Sequence, residues 1–176
     1  MTDFQTTQPN GSTAGMLLSQ TSFSASELQK TVAAIGYGGD VSAPDAFAAL
    51  ADKALIVDVR TAAEWAFVGL PALTPEQLVL CEWQIFPDMQ LNPEFVSLTG
   101  QEVLARSGGD NPADAPAVYF LCRSGARSRA AAMAMTGAGF PACFNIENGF
   151  EGVPDAQGHR GRVNGWKADD LPWRQS

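Results

Sequence analysis

The sequence predicts an α/β fold in which a parallel sheet is covered by helices on both faces. One observation is a series of short, apolar runs at 54–59, 78–86, 117–121 and 142–146, which is typical of strands buried on both sides. Another is that helical patterns separate these runs, as the crossovers of a parallel sheet require. The length of 176 residues suits a single domain of this kind.

Two helices are predicted ahead of the first long strand. The first begins at Ser24, because Ser24 and Glu27 have the spacing of a capping box. It is expected to end before the pair Gly38 and Gly39, since glycine commonly terminates helices. The second begins near Pro44, because proline is favoured in the first turn of a helix. The chain then enters its first buried strand.

The longest helix is expected over residues 93–106, between the second and third strands. Its apolar face carries Phe95, Leu98 and Val103, which recur at the spacing of helical turns. The turn-rich segment 107–116 follows and leads into the third strand. This alternation of strand and helix keeps successive strands parallel.

The domain organisation is predicted from changes in composition. Residues 1–22 are rich in Thr, Gln, Ser and Gly and contain no apolar run of the length found in signal peptides, so we expect a flexible tail and a cytoplasmic protein. Residues 23–157 form the expected domain. The Gly-, Arg- and Trp-containing extension 158–176 is either a flap over the active site or an ordered tail.

Composition excludes several classes of partner. Nineteen acidic against eleven basic residues give a net charge of −8, so nucleic acid is not an expected partner. No apolar run is long enough to span a membrane. Three cysteines are too few for a disulfide framework and suit a reducing compartment. No Cys or His cluster has metal-ligand spacing, so neither a metal nor another cofactor is expected.

The stretch after the third strand carries the clearest chemical signal. The strand runs directly into Cys122, a loop with Gly125 follows, and an Ala-rich helix is predicted from about Arg127. Unpaired amides at a helix start and nearby cations stabilise a thiolate, and Arg123, Arg127 and Arg129 lie close in sequence. The plainer alternative is a buried thiol without chemistry. The order of strand, cysteine, glycine loop, cations and helix favours a nucleophile.

The sequence resembles the rhodanese family of sulfurtransferases over about residues 40–152. The residues that carry the resemblance are CRSGARS at 122–128, VDVRTAAEW at 57–65 and GFPACFNIENGFEG at 139–152. The resemblance implies a parallel five-stranded sheet flanked by helices on both faces. It also implies that Cys122 takes sulfane sulfur from thiosulfate or a similar small anionic donor as a persulfide. That sulfur then passes to cyanide, a thiol or a protein acceptor.

The resemblance also implies roles for the loop. In the family, loop amides hold the persulfide and basic loop side chains hold the sulfonate of the donor. The substrate-binding residues implied in this way are Arg123, Ser124, Gly125, Ala126, Arg127 and Ser128.

Two other functions stay open. Phosphatase and arsenate-reductase relatives of the fold place five residues between Cys and Arg, whereas here Arg127 follows Cys122 after four residues and Arg129 after six. The loop therefore matches the shorter sulfurtransferase form. A non-catalytic binding module that keeps the fold is the other alternative, and it would have an unreactive Cys122.

Other candidate residues lie around the end of the predicted strand 54–59 and in the segment that follows it. Asp58, Arg60 and Glu64 are interpreted as a structural ion-pair group, because buried charges need partners. The segment 66–89 departs from the family pattern, which there has a His-containing Pro-Gly-Ala turn. We interpret its aromatic residues Trp83 and Phe86 as core or lid packing, with a wall of the substrate pocket as the alternative.

Three further residues are expected to be chemically inert. His159, the single histidine, follows no apolar run and is interpreted as a surface residue. Cys81 and Cys143 lie among apolar neighbours and are interpreted as core thiols, with a resolving role for Cys143 left open.

Overall fold

The computed structural model describes residues 36–175. The predicted tail 1–22 and the predicted helix from Ser24 lie outside the described residues. Within 36–175, no helix is both long and apolar enough to cross a membrane.

The core of the molecule is a five-stranded, all-parallel sheet with helices on both faces, as predicted. The strands in chain order are β1 (Asp40–Val41), β2 (Leu55–Asp58), β3 (Leu70–Pro71), β4 (Leu78–Leu80), β5 (Gln84–Ile85), β6 (Gln90–Leu91), β7 (Val118–Leu121), β8 (Cys143–Ile146) and β9 (Trp173–Arg174). The sheet has the order β1-β8-β7-β2-β4, which places β7 at its centre. β3 pairs with β9, and β5 with β6, in two small antiparallel sheets.

The helices pack on the sheet in two layers. They are α1 (Ala43–Ala48), α2 (Ala62–Val68), α3 (Phe95–Ser107) and α4 (Ala126–Gly137), with 3-10 turns at Ala49–Asp52 and Pro112–Asp114. On one face Val57 and Phe120 pack with Val103 of α3 and Met135 of α4. On the other face Ile56 packs with α1 and with residues near the carboxyl terminus. Strand residues therefore alternate between two apolar layers, which explains why their sequences are apolar throughout.

The fifth strand, β1, was not among the four predicted strands. The glycines before it run along β8, where the Gly38 amide donates to the Cys143 carbonyl at 2.6 Å. A Cβ on Gly38 would come within 2.7 Å of the Phe144 ring. Glycine suits this position because the backbone approaches its neighbour closely.

The second strand was predicted within 78–86 and lies there, at Leu78–Leu80, after which the chain leaves the sheet to form the β5–β6 hairpin. One prediction about the apolar face of a helix is corrected. In α3, Leu98 is 46% exposed, whereas Phe95, Thr99 and Val103 are buried. The buried face includes the small residues Thr99 and Gly100 because α3 lies close to Phe140, whose ring would stand 3.4 Å from a Cβ on Gly100.

The carboxyl-terminal segment is packed into the domain. Trp166 is fully buried and meets the Phe47 ring edge to face, with centroids 5.8 Å apart. Its indole N–H donates to the Pro172 carbonyl at 2.9 Å, which satisfies the buried donor. Trp166 and Leu171 of the extension therefore belong to the apolar layer on the α1 face.

Candidate active site

The loop that contains Cys122 lies at the carboxyl end of the central strand β7. Gly125 has a φ of 98° and turns the chain into α4, which begins at Ala126, one residue earlier than predicted. Glycine is needed there because L side chains rarely adopt this conformation. Within residues 36–175, no hydrogen bond occupies the amides of Ser124, Ala126, Arg127 and Ser128. These donors remain available to a ligand or to an anionic sulfur.

The Cys122 sulfur receives contacts from both ends of the loop. The Gly125 amide donates to Sγ at 3.1 Å, and the Ser128 hydroxyl oxygen also lies 3.1 Å from it. Cys122 is only 2% exposed, but it forms part of a cavity of about 550 Å³. The cavity is lined by Thr61, Ala63, Glu64, Val68, Gln84, Phe86, Met89, Cys122, Arg123, Ser124, Ala126 and Arg127.

A glycine-containing turn after β8 packs against the loop that contains Cys122. The amides of Phe150 and Glu151 donate to the carbonyls of Cys122 and Arg123 at 2.8 and 3.0 Å. A Cβ on Gly149 would overlap the Cys122 carbonyl oxygen, and the φ of Gly149 is 60°. This close backbone contact explains the glycine in the sequence NGFEG and holds the backbone of Cys122 in place.

The carboxyl-terminal extension holds this turn in its position. The Trp166 amide donates to the Gly149 carbonyl at 2.9 Å, and the Asn164 side chain donates to Asn148 Oδ1 at 3.0 Å. Within the described chain, no residue of 158–175 lines the cavity. The extension was predicted to be either a flap or an ordered tail; it does not cover the cavity, and it contacts the turn that packs against the loop.

The three arginines near Cys122 differ in their partners. Arg127 donates to both carboxylate oxygens of Glu64, at 2.8 and 2.7 Å. Arg129 donates to Asp40 at 2.6 Å, and its side chain is half exposed. Arg123 is exposed and has no carboxylate within ion-pair distance among residues 36–175. Of the three arginines that lie close to Cys122 in sequence, Arg123 and Arg127 line the cavity, and the charge of Arg127 is balanced by Glu64.

The Glu64 carboxylate is held in its charged form. Burial opposes this charge, but hydrogen bonds from Arg127 and Thr61 outweigh the burial and lower the pKa of Glu64 to about 2. The Thr61 amide and hydroxyl reach Glu64 Oε2 at 2.9 and 3.1 Å, in the capping box that begins α2. Glu64 is therefore the partner of Arg127, whereas the sequence interpretation grouped it with Arg60.

Asp58 and Arg60 form a fully buried ion pair at the end of β2. Arg60 Nη2 lies 2.6 Å from Asp58 Oδ2 and also donates to the Gly69 carbonyl at 2.8 Å. The Arg60 guanidinium lies 4.0 Å from the centroid of the Phe150 ring. Neither Asp58 nor Arg60 lines the cavity. This pair connects β2 to the start of β3 and to the glycine-containing turn after β8.

The two aromatic residues Trp83 and Phe86, for which core or lid packing was predicted and a pocket wall was the alternative, lie in different places. Phe86 lines the cavity at the turn of the β5–β6 hairpin. Trp83 packs into the core instead, where its ring meets Phe95 edge to face at 4.9 Å. Trp83 therefore has the core position that was predicted, and its amide donates to the Val59 carbonyl at 3.1 Å before the chain leaves the sheet.

The remaining candidates lie away from the cavity. Burial raises the pKa of the Cys143 thiol to about 12 and also raises that of Cys81, which keeps both thiols protonated. All three cysteines are unpaired. His159 is exposed, and its ring lies 3.8 Å from Asp155. Within residues 36–175, no group of acidic, His and Cys side chains has metal-site geometry.

Sequence analysis missed two residues that the structure connects to Cys122. Asn145 of β8 is fully buried, and its Oδ1 lies 2.6 Å from Ser128 Oγ. Its Nδ2 donates to Asp40 of β1 at 2.8 Å. The signal in the sequence was an asparagine inside the apolar run ACFNI, since a buried polar side chain needs a specific partner.

The fold and the cysteine loop together define an α/β protein with a candidate nucleophile at the carboxyl end of its central strand. The family model of the Rhodanese-like domain matches residues 42–156. The chain therefore belongs to the rhodanese-like domain family.

Similar proteins support this assignment. The crystal structure of Rv0390 from M. tuberculosis has 40% sequence identity and a TM-score of 0.69, and the match covers 80% of this chain and 99% of that one. The uncharacterized protein RC0915 of Rickettsia conorii is 36% identical over 124 residues, which are 70% of this chain and 85% of that protein. The uncharacterized protein RP600 of Rickettsia prowazekii is 36% identical over 129 residues, 71% of this chain and 86% of that protein.

Proposed function

We propose that this protein is a sulfurtransferase that carries sulfane sulfur on Cys122. The observation that carries the proposal is the position of Cys122 Sγ, which forms part of the cavity and accepts a hydrogen bond from the Gly125 amide. Further loop amides have no partner among the described residues and can stabilise an anionic sulfur in either the thiolate or the persulfide. Family membership supports the same chemistry.

The first half-reaction is a displacement at sulfur. The Cys122 thiolate attacks the outer sulfur of thiosulfate, a new S–S bond forms, and the old S–S bond breaks. Sulfite leaves with the electron pair of the broken bond, and the enzyme retains a persulfide anion. Arg123 is placed to bind the sulfonate group because it lines the cavity and is unpaired in the described part of the chain. Arg127 adds donors, although Glu64 balances its charge.

The second half-reaction returns the enzyme to its starting state. A nucleophilic acceptor, such as cyanide or a thiol, attacks the outer sulfur of the persulfide, and the Cys122 thiolate leaves. With cyanide the product is thiocyanate. Ping-pong kinetics follow, because the first product departs before the acceptor reacts. Three unpaired cysteines favour the cytoplasm as the site of action, since free thiols persist in reducing compartments.

The test is to incubate the protein with thiosulfate and to weigh it intact. We expect a gain of one sulfur atom that cyanide removes, that is absent in Cys122→Ser and that persists in the matched variant Cys143→Ser. Absence of the adduct with thiosulfate and with organic persulfides would overturn the proposal. An unreactive Cys122 in a folded protein would then favour a binding module, and turnover of an aryl phosphate or arsenate would favour the phosphatase-like alternative.

A further inference from the structure

A chain of hydrogen-bonding side chains leads from Cys122 to the edge of the sheet. Ser128 Oγ lies 3.1 Å from Cys122 Sγ and 2.6 Å from Asn145 Oδ1. Asn145 Nδ2 donates to Asp40 Oδ1 at 2.8 Å. Ser128 and Asn145 are fully buried, so no water competes for their hydrogen bonds. This series of hydrogen bonds runs from α4 through β8 to β1, three elements that the sheet topology brings side by side.

The orientation of the Asn145 amide is determined by Asp40. A carboxylate only accepts hydrogen bonds, so the Asn145 NH₂ group must face Asp40 and its oxygen must face Ser128. Burial disfavours the charge on Asp40, but hydrogen bonds from Asn145, Arg129 and Tyr37 outweigh it and lower the pKa of the carboxyl. Asp40 therefore stays ionised at neutral pH. The Tyr37 hydroxyl, which donates at 2.9 Å, and Arg129 hold it in place.

The direction of the Ser128 hydroxyl follows from the same reasoning. Ser128 has one proton, and the Asn145 oxygen, at 2.6 Å, only accepts. The Ser128 proton therefore points to Asn145, and Ser128 presents a lone pair to the Cys122 sulfur. A thiol can donate its proton to that lone pair, whereas a thiolate cannot. Ionisation of Cys122 releases the thiol proton to solvent, and Ser128 must then turn its own proton away from Asn145 to stabilise the sulfur.

We propose that Asn145 is a positioning residue that, through Ser128, favours the protonated form of Cys122 in the resting protein. Asp40 maintains the effect by preventing the Asn145 amide from turning over. Reversal of the Ser128 hydroxyl leaves the buried Asn145 oxygen without a donor, and this cost opposes formation of the thiolate. The consequence for sulfur transfer rests on the proposed function, whereas the effect on the thiol itself can be measured without any sulfur donor.

Charged residues lie on the elements around the Cys122 loop, and the test must leave them unchanged. They are Arg123 and Arg127 on the loop and α4, Glu64 on α2, Asp58 and Arg60 at the end of β2, Glu151 in the turn after β8, and Asp40 with Arg129 at the far end of the hydrogen-bond chain. Replacement of the neutral residue Asn145 alters none of these charges. It therefore separates the direction of the hydroxyl from the general electrostatic field.

The experiment measures the rate at which iodoacetamide alkylates Cys122 as a function of pH, followed by peptide mass. In Asn145→Ala, Ser128 is free to donate to the sulfur. We expect the midpoint of the profile to fall and the rate below the midpoint to rise about fivefold, the order expected for one neutral hydrogen bond. In the Ser128→Ala background, adding Asn145→Ala should leave the midpoint unchanged, because the hydroxyl through which Asn145 acts is absent. Thr136→Val, which removes a hydroxyl from α4 beside Cys143, should leave the midpoint unchanged.

An unchanged or raised midpoint in Asn145→Ala would overturn the proposal, and so would an equal shift in the Ser128→Ala background. If Asn145→Ala does not fold, Asp40→Ala provides the second test, since it frees the Asn145 amide to turn over. Asp40 is partly exposed, so a shift caused only by its lost charge should diminish in high salt. A shift that persists in high salt supports the proposal, and one that disappears contradicts it.

Discussion

Arg127 donates two hydrogen bonds to the carboxylate of Glu64, although 63 residues separate them. The pair joins α4, which follows the Cys122 loop, to α2, which follows β2, and both residues line the cavity beside Cys122. The charge of Arg127 is therefore balanced before any ligand binds. Arg123, without such a partner in the described chain, is the cation with the greater effect on an incoming anion.

Replacing Glu64 with Gln should lower the free energy of unfolding by about 2 kcal/mol at pH 7. The pKa of Glu64 is about 2 in the folded protein against an ordinary 4.5, so the ion pair stabilises the protein above about pH 4.5. This contribution is lost as the pH falls toward 2. Urea unfolding should show that the free energy of unfolding of Glu64→Gln differs less from that of wild type at pH 3 than at pH 7. Glu102→Gln, in an exposed pair with Arg106, should change stability by less than about 1 kcal/mol.

Replacing Arg123 with Gln should raise KM for thiosulfate about tenfold with little change in kcat. The loss removes a charged donor that contacts the leaving anion rather than the reacting sulfur. Steady-state kinetics at several thiosulfate concentrations separate the two parameters. Arg106→Gln is the control, because Arg106 lies on α3 and does not line the cavity. An equal effect of both substitutions would show that net charge, not the position of Arg123, matters.

Replacing Gly149 with Ala should destabilise the protein by about 2 kcal/mol or more and reduce transfer activity. The added Cβ would overlap the Cys122 carbonyl oxygen and displace the nucleophile's backbone. Thermal unfolding and initial rates test both effects. Gly137→Ala, where a Cβ meets no atom within 4 Å and the φ is ordinary, should leave both unchanged. A fully active Gly149→Ala variant would mean that the turn does not hold the loop.

Replacing Trp166 with Ala should cost about 3–5 kcal/mol, because the residue is fully buried beside Phe47. The loss should also weaken the turn that supports Cys122, since the Trp166 amide bonds to Gly149. Urea unfolding gives the first effect and the specific activity of the remaining folded protein gives the second. Trp173→Ala should cost less, as Trp173 is 41% exposed.

Replacing Phe86 with Ala should reduce kcat/KM for an aryl thiosulfonate about tenfold and leave kcat/KM for thiosulfate nearly unchanged. The cavity of about 550 Å³ is much larger than an inorganic anion, and Phe86, Met89 and Val68 give it an apolar wall. Comparing the two sulfur donors in each variant separates a lost contact with the aryl group from a general loss of activity. Leu91→Ala is the matched control, because Leu91 is exposed on the same hairpin but does not line the cavity. Equal losses for both donors would contradict this interpretation.

Local patterns in the sequence predicted the parts of the protein that depend on neighbouring residues. Apolar β-branched runs predicted β2, β7 and β8, since a strand buried on both faces must be apolar throughout. The order of strand, cysteine, glycine and arginine predicted the loop at Cys122. A strand was predicted within 78–86, and it occupies only Leu78–Leu80 because the chain then turns outward into a hairpin, which periodicity alone does not reveal.

The sequence by itself determined the α/β class, the family resemblance and the position of Cys122 at the end of a buried strand, because these depend on short-range spacing. Only the tertiary structure decided which carboxylate pairs with which arginine and that Trp83 packs inward. It also decided that Asp40 and Asn145, 105 residues apart, reach Ser128. The physical reason is that charged and amide groups interact across short distances in space, and the sheet order that sets those distances is a property of the folded chain.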